Sequence, residues 1–221
     1  MMTLVAHAAA DFPEPALPKL GKAAIEKRRR PLTALFAVLV AAIVLTTGSR
    51  WPVAGGGREV LSLIGMLLAC LGAFGRTWSN LFISGYKSKH LITTGPYSLC
   101  RNPLYLFSSI GMVGIGLTTE TLSVPALLMV FFAIYYPTII NREEQRLLMR
   151  HEEVFTEYCR RTPAFWPQLS LYEEPEMYVM HPRAMRKNIC DAFWFVAIAA
   201  LVNTEAHLSA LSGLPTLFNL W

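Results

Sequence analysis

Long apolar stretches separated by charged segments dominate the chain from about residue 32 onward. Five of them stand out: Leu32–Thr47, Val60–Phe74, Leu104–Leu117, Leu122–Ile140 and Ile189–Val202. A helix needs about 20 apolar residues to cross the hydrocarbon core, and flanking interfacial residues can lengthen a short stretch. The pattern therefore predicts an all-α, polytopic integral membrane protein with about five transmembrane helices. The third and fourth stretches are separated only by Thr118–Thr121, which predicts a tight helical hairpin.

The composition supports a membrane protein. Charged residues make up 16% of the 221 residues and hydrophobic residues 53%, whereas soluble domains carry about 25% charged residues. The net charge of +5 does not indicate nucleic-acid binding, because the basic residues stand at the ends of apolar stretches rather than along one polar surface. The first 30 residues contain Asp11 and Glu14 and lack an apolar run with a cleavage site, so we expect a water-exposed tail and no signal peptide.

The distribution of lysine and arginine predicts the orientation. Basic residues precede the first stretch and recur in two long polar segments, 84–105 and 141–167, whereas the opposite side carries only Arg50 and Arg58. By the positive-inside rule, the N-terminus and both polar segments face the cytoplasm. We divide the chain into a cytoplasmic tail (1–30), a membrane core (31–169) and a C-terminal extension (170–221) with one more membrane helix. The lack of eukaryotic sorting signals favours a prokaryotic plasma (inner) membrane.

The two cytoplasmic segments carry the candidate chemistry. Glu143 and Glu144 stand where the fourth helix leaves the membrane. A solvated helix end is the simpler interpretation, but carboxylates at this depth could also bind a sulfonium or an amino group, or act as a general base. In the other segment, Arg101 follows a Gly95-Pro96 turn. Loops of this kind beside a membrane are tolerated where they are buried in protein or line a cavity, which predicts a cytoplasm-facing pocket for a small ligand.

Other motifs are less informative. His90, His151 and His181 do not have the spacing of metal ligands, so we expect no metal site. The four cysteines include no Cys-x-x-Cys pair, and the chain has no P-loop and no Gly-x-Gly-x-x-Gly. We interpret Gly111, Gly114 and Gly116 as positions where helices pack closely.

The order of the cytoplasmic motifs is more specific than any one of them. The motifs are Lys89-His90-Leu91-Ile92-Thr93-Thr94-Gly95-Pro96-Tyr97, Arg101-Asn102-Pro103-Leu104-Tyr105, a helical hairpin ending in Glu143-Glu144, then Tyr158 and Phe165-Trp166-Pro167. Over about Phe74–Pro167 this set resembles the isoprenylcysteine carboxyl methyltransferase family and its relatives, the membrane phospholipid methyltransferases.

The resemblance implies that S-adenosylmethionine is bound in the cytoplasm-facing pocket. Carried over residue by residue, the cofactor-binding positions are Lys89, His90, Leu91, Ile92, Gly95, Tyr97, Asn102, Pro103, Leu104 and Tyr105, and the catalytic positions are Glu143, Glu144 and Arg101. The implied reaction is methyl transfer to a carboxyl, amine or phosphate group of a membrane-embedded or lipid-like acceptor. That acceptor would reach the pocket sideways from the bilayer.

Two positions depart from the family pattern. Asn102 stands where many members have His, and Ile139 stands where members acting on prenylcysteine have Arg. The second difference disfavours a prenylcysteine acceptor. Two other functions stay open: an NADPH-dependent membrane reductase of the sterol reductase type, and a non-catalytic membrane protein that retains the fold. Binding of S-adenosylmethionine, of NADPH or of neither would separate the three.

Overall fold

The computed structural model describes residues 38, 42–43, 47–49, 56–84, 90–177, 182–212 and 218–220. All of these except residue 38 belong to the unit Val40–Trp221. The predicted N-terminal tail and nearly all of the first predicted span, Leu32–Thr47, lie outside the described residues.

Four helices of 15 or more residues build the described part of this unit. They are α1 (Gly57–Ile83), α3 (Pro103–Leu117), α4 (Ser123–Arg161) and α5 (Pro182–Ser212), with the one-turn helix α2 (Pro96–Leu99) between α1 and α3 and a 3₁₀ turn at Leu169–Leu171. Two short strands, β1 (Thr47–Ser49) and β2 (Phe218–Leu220), pair in parallel with Thr47 opposite Phe218.

The helical membrane-protein class is confirmed. Among the described residues, α1, α4 and the Met185–Leu208 part of α5 are long and apolar enough to cross a membrane. These correspond to the second, fourth and fifth predicted spans. The third predicted span is α3, which has 15 residues. Its length is about 22 Å, less than the roughly 30 Å of the hydrocarbon core.

Helices α1 and α3 cross with their backbones in contact. A Cβ atom added to Gly72 would lie 2.5 Å from Gly111 Cα, and one added to Gly114 would lie 2.4 Å from the backbone nitrogen of Ala69. Small residues at such crossings are typical of membrane helices, because they let two backbones approach. The interpretation of Gly111 and Gly114 as packing positions is confirmed. Gly116 plays the same part against Pro125 of α4.

The turn between α3 and α4 carries a buried ion pair that the sequence did not suggest. Glu120 is 1% exposed, has a φ of 58°, and pairs with Arg58 in the first turn of α1. Ser49 Oγ of β1 donates to the Glu120 carbonyl oxygen at 2.8 Å, and His207 Nδ1 of α5 lies 3.7 Å from Glu120 Oε1. This cluster therefore joins β1, α1, the hairpin and α5 at one end of the helices.

The Phe195 side chain packs helix α5 against α1 and α3. Phe195 occupies the space beside Gly111, where an added Cβ would lie 2.5 Å from its ring, and the ring centre lies 5.2 Å from Cζ of Arg76. Nearer the other end, Asn188 Nδ2 donates to Ser84 Oγ at 2.9 Å. The described part of the C-terminal extension is thus packed on the core. The domain boundary at residues 169 and 170 stays a prediction.

Helix α4 changes direction beyond the membrane. It contains Pro137, which removes one backbone hydrogen bond, and at His151 the backbone leaves helical geometry with φ −128° and ψ 21°. Beyond this kink, Phe155 and Tyr158 are buried. The kink therefore turns the last part of α4 back onto the loop that precedes α3.

Candidate active site

A cavity of about 210 Å³ lies at the end of the helices where α1 ends and α3 begins. Its walls come from the end of α1, from the loop and α3 start at 90–105, and from the part of α4 at 143–158. This end carries the two polar segments that are predicted to face the cytoplasm. The buried Glu120 pair lies at the opposite end of α1 and α3.

Most of the predicted site residues line this one cavity. The predicted cofactor-binding residues in its wall are His90, Leu91, Ile92, Tyr97, Asn102, Leu104 and Tyr105, and the three predicted catalytic residues Arg101, Glu143 and Glu144 are there as well. Gly95 and Pro103 are not in the wall. Lys89 lies outside the described residues.

Gly95 shapes the loop instead of lining the cavity. Its φ of 61° and ψ of −135° belong to a region that is essentially restricted to glycine, and an added Cβ would lie 2.3 Å from the Phe82 ring. Pro103 is the first residue of α3 and is buried. Its missing N–H costs nothing there. Both residues therefore fix the backbone that presents Tyr97 and Asn102.

Five further residues line the cavity that sequence reasoning did not assign to it. They are Ile83, Arg146, Leu147, Phe155 and Tyr158. Arg146 and Leu147 stand three and four residues after Glu143, so they share its helix face, and this spacing could have identified them. Phe155 and Tyr158 reach the cavity only because of the kink at His151, for which the sequence contains no signal.

Glu144 is held by the loop before α3. Its Oε1 lies 3.1 Å from Arg101 Nε and 3.4 Å from Asn102 Nδ2. The Arg101 Nε–H makes no hydrogen bond, so this contact is an ion pair, while Arg101 Nη1 donates to the Cys159 carbonyl at 3.1 Å. Arg101 thus joins the loop to two turns of α4 and balances the charge of Glu144.

The Asn102 side chain also holds the loop before α3 against neighbouring segments. An asparagine at a helix N-cap normally accepts a hydrogen bond from the first turn, but the structure has no such bond at Asn102. Instead Nδ2 donates to the Ala164 carbonyl at 3.0 Å. The amide is therefore diverted from capping α3 to holding the segment that follows α4.

Glu143 has a different environment from its neighbour. Its Oε2 accepts a hydrogen bond from Tyr105 OH at 2.8 Å, and none of the ion pairs in the described part of the chain includes it. Its side chain is exposed at the cavity. Glu143 is accordingly the carboxylate of the pair that is available to a cationic ligand.

The segment after α4 closes over the loop through backbone hydrogen bonds. Arg101 N donates to the Pro163 carbonyl at 2.8 Å, and Gln168 N donates to the Leu99 carbonyl at 3.0 Å. Gly95 N donates to the Glu173 carbonyl at 2.7 Å. The loop geometry that forms the cavity is therefore held by residues that follow Arg161.

Burial keeps the tyrosines of this site protonated. Tyr158 OH donates to the Tyr97 carbonyl at 2.7 Å. Burial, and then the nearby Glu143 and Tyr158, raises the pKa of Tyr97 well above its usual range. Burial likewise raises the pKa of Tyr158. Both phenols are therefore neutral, and that of Tyr158 acts as a hydrogen-bond donor.

These features define a helical membrane protein with a small cavity at one end of its helices. Of the two carboxylates in its wall, Glu144 has an ion-pair partner among the described residues and Glu143 has none there. Residues 61–153 match the phospholipid methyltransferase family, and the chain belongs to this family. Within the described residues, no group of three or more His, Cys, Asp or Glu side chains is placed to hold a metal ion.

Two relatives cover most of the chain. It is 41% identical to the nickel-cobalt-cadmium resistance protein NccN of Alcaligenes xylosoxydans xylosoxydans over 180 residues, which are 81% of this chain and 84% of that protein. It is 42% identical to the cobalt-zinc-cadmium resistance protein CzcN of Cupriavidus metallidurans over 165 residues, 75% of this chain and 76% of that one. No solved structure matches the chain.

Proposed function

We propose that the chain transfers a methyl group from S-adenosylmethionine to a membrane-embedded, lipid-like acceptor. The observation that carries the proposal is the joint presence, in one cavity, of Tyr97, Asn102 and Tyr105 from the loop and of Glu143 from α4. These groups are separated by up to 46 positions in the sequence and belong to the two motifs of the family. Membership of the phospholipid methyltransferase family supports the reaction class.

The chemistry of the cavity fits this cofactor. Leu91, Ile92 and Phe155 supply apolar and aromatic surface for an adenosine group. Glu143 supplies a carboxylate without a cationic partner among the described residues, which suits an α-amino or sulfonium group. Arg146 lines the same cavity and suits a carboxylate. When bound, the cofactor supplies a methyl group already activated by a positively charged sulfur.

The chain's own residues then have three tasks. The loop and α4 hold the reactants in one geometry, which contributes to the rate by proximity. Glu143 balances positive charge and accepts the proton that an amine acceptor must lose, whereas a carboxylate or phosphate acceptor has no proton to lose. Arg101 is a positioning residue, because its side chain is engaged with Glu144 and the Cys159 carbonyl.

Ligand binding tests the cofactor class. In detergent, we expect the protein to bind S-adenosylhomocysteine and not NADPH in isothermal titration calorimetry. Glu143→Gln removes the charge with little change of shape, so it should weaken S-adenosylhomocysteine binding by about tenfold or more, the usual size for loss of a charged hydrogen bond.

The matched control for that measurement is Glu153→Gln, an exposed position of α4 outside the cavity wall. Its affinity should equal that of the wild type. Binding of NADPH alone would favour the reductase, and a folded wild-type protein that binds neither ligand would favour the non-catalytic alternative.

The names of the two relatives suggest the setting of this activity. We infer that this chain methylates its acceptor in the membrane that contains it. This methylation contributes to the resistance of the cell to divalent transition-metal ions. The wild-type chain should restore growth on cobalt or cadmium to a strain from which a relative has been deleted. Glu143→Gln should not restore growth although it is expressed at the same level. If the wild-type chain and Glu143→Gln restore growth equally, resistance does not depend on methyl transfer by this chain.

A further inference from the structure

Arg76 lies in helix α1, which is apolar and long enough to cross a membrane, about two turns before the end of the helix at the cavity. Its Nη1 donates to Ser108 Oγ of α3. Ser108 comes one helical turn after Tyr105, which lines the cavity. Because α3 starts at the cavity and runs toward the Glu120 end, the guanidinium lies about one turn below the cavity wall. Tyr105 and Tyr136 are close enough to interact with it electrostatically.

The guanidinium has few partners. A guanidinium has five N–H donors, but none of the ion pairs in the described part of the chain includes Arg76. Its Nε is buried without a hydrogen-bond partner, and Nη1 contacts one neutral hydroxyl. Asp191 of α5 is close enough to interact with it electrostatically, but its side chain is exposed and no ion pair between the two is formed among the described residues. A charge within a membrane helix that lacks an anionic partner is costly, and such groups mark ligand sites.

Helix α5 covers this position from one side. The Phe195 ring faces the guanidinium at 5.2 Å from Cζ and fills the space beside Gly111. Ala192, one turn before Phe195, is 3% exposed. The aromatic ring covers the face of the guanidinium. The N–H groups point outward at its edge, and an oxyanion can bind there.

We propose that Arg76 binds the anionic group of the methyl acceptor, a phosphate or carboxylate oxygen of a membrane amphiphile, and so determines acceptor specificity. The inference rests on the proposed function, because it places the methyl-accepting atom of the amphiphile beside Tyr105 and Glu143. Both oxyanions match the forked donors of arginine. Phe195 and the rest of α5 form the wall that retains the amphiphile.

Lipid binding tests the inference without turnover. Native mass spectrometry measures the affinity of the full chain for dioleoyl phosphatidic acid, oleic acid and dioleoylglycerol, which carry a phosphate, a carboxylate and no charge. We expect one anionic probe to bind at least about tenfold more tightly than dioleoylglycerol, the scale of one charged contact. The stronger of the two anionic probes identifies the anion class.

Three variants assign that preference to Arg76. Arg76→Gln should abolish it and leave affinity for dioleoylglycerol unchanged. Arg76→Lys, which keeps the charge without the fork, should retain part of it. Arg160→Gln, which removes an arginine that is 75% exposed and has Glu157 as its ion-pair partner among the described residues, should retain all of it. If Arg76→Gln does not fold, Arg76→Lys decides: affinity for the anionic probe equal to wild type overturns the inference.

Binding of S-adenosylhomocysteine is measured on the same samples and should be unchanged in both Arg76 variants. A wild-type chain that prefers anionic probes through Arg76 but does not bind S-adenosylhomocysteine retains the anion site and contradicts the proposed function. The anion site is contradicted if the wild-type chain shows no preference for the anionic probes, or if Arg76→Gln keeps that preference. Loss of affinity for all three probes and for S-adenosylhomocysteine together would mean that Arg76 is structural.

Discussion

At the scale of single residues, Glu143 and Glu144 illustrate how neighbours acquire different roles. Consecutive residues of a helix point about 100° apart, so the two carboxylates meet different partners. Glu144 faces Arg101 and Asn102 of the loop, whereas Glu143 faces the Tyr105 hydroxyl and the cavity. The sequence predicted the pair as a unit. The division of roles depends on where the loop lies, which the sequence does not state.

Cys100 provides a pH-dependent prediction at the same scale. It is 1% exposed and burial raises the pKa of its thiol to about 11 from 9.0. At pH 8 the thiolate fraction is therefore about a hundredfold lower than in the unfolded chain, and the thiolate is the reactive form. We expect iodoacetamide to modify Cys100 at least about a hundredfold more slowly in the folded protein, measured by mass spectrometry of its peptide.

The sign of the linked stability follows from the same shift. A raised pKa means that the folded state favours the protonated thiol, so its contribution is complete below pH 9 and is lost as the pH rises toward 11. Cys100→Ser should lose less stability over this pH range than the wild type. Rapid modification of Cys100 at pH 8 in the folded protein would contradict the burial on which both expectations depend.

At the scale of elements, the sequence predicted the helices better than their contacts. The tight hairpin after α3 follows from the short separation of two apolar stretches, whereas the stretch that predicts α4 ends at Ile140 and the helix continues to Arg161. The buried pair of Glu120 and Arg58 was not predicted, because an acidic residue in a short turn is ordinarily exposed. Glu120 is buried because α1 packs closely against the hairpin. In the sequence, only the glycines of α1 and α3 indicate this close packing.

The crossing of α1 and α3 gives a matched pair of substitutions. In Gly72→Ala the new Cβ meets backbone atoms of Gly111, which cannot rotate away, whereas in Gly111→Ala it first meets the Phe195 ring, which can. Overpacking costs about 1–3 kcal/mol. We therefore expect Gly72→Ala to lower the melting temperature in detergent by several degrees, and Gly111→Ala to lower it less. An equal effect of both would mean that the Phe195 ring cannot move away from an added Cβ.

At the scale of the whole molecule, the two ends of the helices differ in their number of arginines. The cavity end carries Arg142, Arg146, Arg150, Arg160 and Arg161, whereas Arg58 at the other end is neutralised by Glu120. By the positive-inside rule we predict that the cavity opens to the cytoplasm and that the N-terminus lies on the same side. The prokaryotic inner membrane remains a separate prediction, from the lack of eukaryotic sorting signals.

Labelling of single cysteines tests this orientation. In a chain without its native cysteines, Leu122→Cys lies in the exposed part of the hairpin turn and Glu174→Cys lies exposed near the cavity loop. A membrane-impermeant maleimide added to intact cells should label Leu122→Cys, and it should label Glu174→Cys only after the inner membrane is permeabilised. The reverse pattern would place the cavity outside.

The pairing of β1 with β2 has a consequence for biosynthesis. The partner of Thr47–Ser49 is Phe218–Leu220, which the ribosome adds after the residues of α5. The segments that form the cavity are complete once residue 173 has been translated. The distal end of the helices, and the aromatic cover over Arg76, require the later synthesis of α5 and β2. A nascent chain thus has its small-ligand cavity before it has the wall beside Arg76.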